Sequence, residues 1–137
     1  MVIFTALLAM ALASPGARPT PRLIPESLSS VSPRPARIAT LVPLRSDELR
    51  RVLRTPVRKY LGPIRRARDG LQFSPDGRAE DGRCDPAACE GRYLVDGNRV
   101  SVNWGGRGQR VISFYMAPDG IVYAADSGRR DGLAMPW

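Results

Sequence analysis

The stretch Tyr93-Leu94-Val95-Asp96-Gly97-Asn98-Arg99-Val100-Ser101-Val102-Asn103-Trp104 decides the fold. Tyr93 and Val95 occupy every second position before Asp96-Gly97-Asn98, and Val100, Val102 and Trp104 do so after it. Alternation on both sides of an Asp-Gly dipeptide marks a β-hairpin, because the tight turn needs positive φ and Gly supplies it without steric cost. Pairing Val95 with Val100 places Tyr93 opposite Val102. Both arms then present one apolar face.

Working outward, Gly105-Gly106-Arg107-Gly108 reads as the next turn, and Ile112, Phe114 and Met116 form a third inward row. Pro118-Asp119-Gly120 turns the chain again, Ile121-Val122-Tyr123-Ala124 is a strand, and the segment from Asp126 onward is polar. On the other side, Leu71 and Phe73 alternate before Ser74-Pro75-Asp76-Gly77. The expectation is an antiparallel meander of about five strands. Its core should draw on Phe73, Tyr93, Val95, Val100, Val102, Ile112, Phe114 and Tyr123. Six Asp-Gly dipeptides, at Asp69, Asp76, Asp81, Asp96, Asp119 and Asp131, use six of the nine aspartates. Residues that could have been catalytic acids or metal ligands therefore read as turn formers.

Residues 44–62 carry helical signals. Ser46 is a good N-cap, and Asp47 and Glu48 suit the positive end of the helix dipole. Leu49, Val52 and Leu53 make an apolar stripe at helical spacing. Pro56 cannot continue the helix, but Thr55 can cap a second one with Val57, Tyr60 and Leu61 as its apolar face. Gly62-Pro63 stops it. The fold class expected is α+β: two short N-terminal helices, meeting at Thr55, on the meander.

Residues 1–13, MVIFTALLAMALA, are apolar except for Thr5 and end in a small-x-small pattern. They read as a signal peptide removed after Ala13, and are too short to span a bilayer. Residues 14–40 are rich in Pro, Ser and Arg and read as a disordered linker. Residues 41–137 form the expected domain. Localisation is thus periplasmic or secreted. Cys84 and Cys89, separated by four residues, are expected to form a disulfide there.

The chain has no His, which removes the commonest general base and metal ligand. No serine sits in a Gly-x-Ser-x-Gly elbow. Asp76 to Glu90 lacks the alternation of a calcium loop, since Arg78 and Glu80 stand where ligands are required. Glu80, Asp81, Asp85 and Glu90 interleave with Arg78, Arg83 and Arg92 as solvated ion pairs. Gly105-Gly106-Arg107-Gly108 lacks the Gly-Lys-Ser/Thr ending of a phosphate loop. No enzyme activity, metal or cofactor is expected.

The net charge is +8, with 20 Arg and one Lys. Nine of these basic residues lie between Arg45 and Arg68. Arg50, Arg51, Arg54 and Arg58 fall on the helical side away from the apolar stripe, a face that attracts anionic polymers or head groups. An Arg-biased composition would also give a solvated basic face. Export, and the lack of a series of stacking aromatics, argue against nucleic acid.

The pattern Gly70-Leu71-Gln72-Phe73-Ser74-Pro75-Asp76-Gly77-Arg78, then Cys84, then Gly91-Arg92-Tyr93-Leu94-Val95-Asp96-Gly97-Asn98-Arg99-Val100-Ser101-Val102 resembles small exported bacterial β-domains of lipocalin-like or META type. The resemblance covers about residues 70–104. It implies a β fold and an exported compartment, and it carries over no site residue. The reading from sequence is a non-enzymatic exported domain binding an anionic lipid or envelope polymer through its arginine face. The alternative is an inhibitor or interaction module that presents the Cys84–Cys89 loop to a periplasmic protein.

Overall fold

The computed structural model describes residues 18–23, 34–54, 70–82 and 89–137. The hairpin that decides the fold forms in the expected register, with Val95 opposite Val100 and Tyr93 opposite Val102. Its two-residue connection has Gly97 at φ 58°, the first central position, where such a turn needs Gly.

Around this hairpin the described residues build nine strands. They are β1 (Ala36–Arg37), β2 (Val42–Pro43), β3 (Leu71–Phe73), β4 (Arg78–Asp81), β5 (Cys89–Asp96), β6 (Arg99–Asn103), β7 (Gln109–Met116), β8 (Val122–Asp126) and β9 (Leu133–Pro136). The sheet order is β1-β9-β8-β7-β6-β5-β4-β3, with every pairing between these strands antiparallel. The short β2 pairs with Tyr115 and Met116 of β7, beyond the point where β6 has ended. The single α-helix among the described residues, α1, spans Ser46–Leu53.

The expected α+β arrangement of two helices on a five-stranded meander is therefore corrected to a mostly antiparallel β fold, with one α-helix among the described residues. The additional strands have physical reasons for escaping notice. β1 and β2 are two residues long and carry no period. β4 reads Arg-Ala-Glu-Asp, with one apolar residue, and was expected to be a loop of ion pairs. β9 lies in the segment expected to be polar. The second expected helix lies outside the described residues.

The sheet curls. Phe73 on β3 and Trp137, just after β9, are six strands apart in the sheet order. A flat sheet would separate them by about 29 Å at the usual strand spacing of about 4.8 Å. Their ring centroids are 5.8 Å apart, and Phe114 on β7 meets Trp137 edge-on at 5.0 Å. Right-handed strand twist accumulates into this curl, and the concave face becomes the core. Leu71, Phe73, Val100, Val102, Ile112, Phe114, Met116, Val122 and Ala124 fill it, with Leu49, Val52 and Leu53 of α1.

Tyr93 and Val95 are half-buried against this core. Tyr123, expected inside, faces the other way, and its neighbours Val122 and Ala124 are fully buried instead. A one-residue phase error in a strand exchanges its two faces.

Within the stretch expected as linker, residues 18–23 and 34–40 carry contacts. Arg22 bridges Ile121 in parallel, its N–H donating to Gly120 O at 2.8 Å while its carbonyl accepts from Val122 N at 3.2 Å. Extended, proline-bearing backbone cannot enter a central strand but is tolerated at a sheet edge. Gly120 is required here twice over. Its φ is 86°, and a Cβ would stand 2.5 Å from the Thr20 carbonyl.

Candidate functional site

The site is built on α1. Ser46, expected as the N-cap, is the first helical residue, and Arg45 takes the cap position. The Ser46 hydroxyl donates to Gly97 O at 3.3 Å instead, tying the helix to the β5–β6 turn. Glu48 reaches back to accept the Arg45 N–H at 2.9 Å, the carboxylate half of a capping box.

Glu48 is buried, with 8% of its surface exposed. Arg18 clamps it from the N-terminal segment, Nη2 donating to Oε1 at 2.6 Å and Nε to Oε2 at 3.4 Å. Arg18 Nη2 also donates to Pro43 O at 2.9 Å. Burial by itself would raise the Glu48 pKa. The hydrogen bonds from Arg18 and from the Arg45 backbone, with both charges, outweigh it and hold the carboxyl below its ordinary range.

Burying Leu49, Val52 and Leu53 turns Arg50, Arg51 and Arg54 outward, and all three are exposed. Arg50 and Arg54 are four residues apart, so they stand one above the other on the same helical stripe. Together they line an open groove of about 450 Å³ between α1 and the β3–β4 turn. Pro75, Asp76 and Gly77 of the turn form the opposite wall, and Tyr93, Leu94 and Val95 of β5 complete the lining. Leu94 is 76% exposed, the most exposed large hydrophobic side chain among the described residues.

The charge of the groove is uneven. Arg50 and Arg54 have no acidic partner among the described residues. The one acid in the lining, Asp76, is already engaged. Its Oδ1 accepts the Arg78 N–H at 3.1 Å, and its Oδ2 accepts Arg78 Nε at 2.6 Å. These bonds hold its carboxyl below the ordinary range, the backbone bond contributing most. Arg92, beside the turn, donates from its Nη1 to Asp76 O at 3.4 Å. Tyr93 donates its hydroxyl to Ser74 O at 2.7 Å, which pins β5 to the turn. Burial first, and the Asp76 charge second, push its phenol pKa up, so it stays a neutral donor.

Two of the four arginines expected to act together thus share a groove. Arg51 lies outside its lining, and Arg58 falls outside the described residues. Arg78 and Arg92 were expected in solvated ion pairs. Arg78 does stand in an exposed ion pair, with Asp76 at 2.6 Å, and Arg92 lies opposite it on β5; both sit beside the turn and outside the groove's lining. Cys89 is buried at the start of β5, with Arg107 Nη1 3.2 Å from its sulfur. Cys84 lies outside the described residues, so the pairing stands as an expectation.

One other charged cluster sits inside the curl. Arg110 of β7 makes a bidentate pair with Asp126 of β8 at 2.6 and 2.8 Å, and Nη1 reaches Asp81 of β4 at 3.3 Å. The Asp126 hydrogen bonds raise the Arg110 pKa against the effect of burial, so the guanidinium stays charged between two carboxylates. This cluster ties β4 to β7 and β8 across the concave face. Among the described residues no group of three His, Cys, Asp or Glu is placed to hold a metal ion, and no helix is long and apolar enough to cross a membrane. Comparison with family models, with curated proteins and with solved structures finds no match.

Proposed function

We propose that this is an exported, non-enzymatic domain that binds an anionic component of the cell envelope through the arginine face of α1. One observation carries the reading: Arg50 and Arg54 line an open groove and no carboxylate among the described residues neutralises them. Among the described residues Arg18, Arg78, Arg110 and Arg129 stand in ion pairs, while Arg51, Arg99 and Arg130 are exposed like Arg50 and Arg54 but lie outside the groove. Leaving guanidinium groups without partners in a concavity favours an external anion, because each offers a fork of donors to a carboxylate or phosphate.

The test is co-sedimentation with vesicles containing anionic lipid, at low and at raised ionic strength. Each basic residue near an anionic surface contributes about 1 kcal/mol. Replacing Arg50, Arg51, Arg54 and Arg58 together by Ser should therefore abolish retention at moderate salt. Retention that survives the fourfold replacement refutes the proposal.

A further inference from the structure

The groove is not uniformly polar, and that narrows the class of ligand. This step rests on the reading of the arginine face as anion-binding. A polyanion or a flat headgroup layer would be served by exposed arginines alone. Here Arg50 and Arg54 share a concavity with Pro75, Tyr93, Leu94 and Val95. Its volume, about 450 Å³, falls in the range of single-molecule sites, roughly 300–1,000 Å³. Leu94 stands 76% exposed, and among the described residues Val42, at 44%, is the other exposed large hydrophobic side chain.

We infer that the groove binds one molecule of a phosphate-headed, single-chain amphiphile. The charge match selects the head. A phosphate monoester carries about −1.5 to −2 at neutral pH, enough for two guanidinium groups that no carboxylate among the described residues neutralises, and its three oxygens can accept from both. Arg50 and Arg54, one helical turn apart, hold the head, while Asp76 stays engaged by Arg78 and does not repel it at full strength. The alkyl chain lies along the apolar part of the lining, from Pro75 toward Leu94. Tyr93 fixes that wall through its bond to Ser74 O.

The experiment is titration of the full chain with dodecyl phosphate below its micelle-forming concentration, followed by calorimetry and by amide chemical shifts. Inorganic phosphate supplies the head alone, and dodecyl maltoside a similar tail without charge. The expected result is saturable one-to-one binding of dodecyl phosphate, at least about tenfold tighter than inorganic phosphate, with shifts at Gly77 and Leu94. Arg50→Ser with Arg54→Ser should weaken it by about tenfold or more, the cost of losing charged hydrogen bonds. Leu94→Asn, at an exposed position where the fold is not at stake, should weaken it about fourfold for each methylene of the ligand it no longer covers. Equal affinity for dodecyl phosphate and inorganic phosphate overturns this inference and leaves the anion-binding proposal standing. Equal affinity for dodecyl maltoside overturns it as well, because the arginines then select nothing. One-to-one binding that is lost in the arginine variant, beside vesicle retention that is unchanged, upholds the groove and refutes the surface-binding proposal.

Discussion

Replacing Trp137 by Ala should remove the contact that closes the curled sheet. The indole is 4% exposed and touches aromatic rings from two separated strands, Phe73 on β3 and Phe114 on β7. It is the side chain that joins the β3 end of the curled sheet to its β9 end. Large-to-small aromatic substitutions in a core cost about 3–5 kcal/mol, through lost transfer free energy and the cavity left behind. The Trp137 N–H bond to Val122 O at 2.8 Å belongs to the backbone and would survive, which favours the lower half of that range. A domain of this size holds about 5–15 kcal/mol in total, so the variant should sit close to its unfolding threshold. At about 4–8 °C per kcal/mol for a domain of up to about 100 residues, the thermal midpoint should fall by at least about 12 °C. Chemical denaturation followed by far-UV circular dichroism gives the free energy directly. Trp137→Phe keeps a ring against Phe73 and Phe114 and should lose less than half as much. A loss below about 1 kcal/mol for Trp137→Ala would refute the claim that this contact closes the curl.

Other consequences are open to direct measurement. Glu48 has a folded-state pKa below its unfolded value of 4.5, so its pair with Arg18 stabilises the protein above that pH and the stability is lost as pH falls through the folded pKa. Urea unfolding as a function of pH should lose part of its slope below pH 4.5 in Glu48→Gln, and Arg18→Ser should cost about 1–3 kcal/mol at neutral pH by leaving the buried carboxylate short of a partner. Gly120→Ala meets both a positive φ and the Thr20 carbonyl, and should speed hydrogen exchange at Arg22 and Val122 while leaving the β5–β6 hairpin protected. If Cys84 and Cys89 are paired, neither will react with an alkylating agent until reductant is added.

The β5–β6 hairpin was legible because its signal is local. Alternation and an Asp-Gly turn lie within twelve residues and fix their own register. The turn role of the aspartates was legible for the same reason. Asp76, Asp119 and Asp131 each accept the N–H two residues on, from Arg78, Ile121 and Leu133. The face of α1 followed from the spacing of Leu49, Val52 and Leu53. What escaped depends on partners distant in sequence. β1 and β2 exist because β9 and β7 offer edges to pair with, and Arg18 is structural because Glu48 waits for it 30 positions away. Trp137 looked like part of a polar tail until the curl put it against Phe73. The groove combines both kinds of information: Arg50 and Arg54 come from helical spacing, while Pro75 and Tyr93 reach them only through the sheet.

The central claim is that binding comes from one face and not from net charge. The measurement that tests it most directly compares two double variants on anionic vesicles at matched ionic strength. Arg50→Ser with Arg54→Ser removes two charges from the groove, and Arg99→Ser with Arg130→Ser removes two exposed charges outside it. The account predicts that the first loses retention and the second keeps it. Equal losses in the two would contradict it.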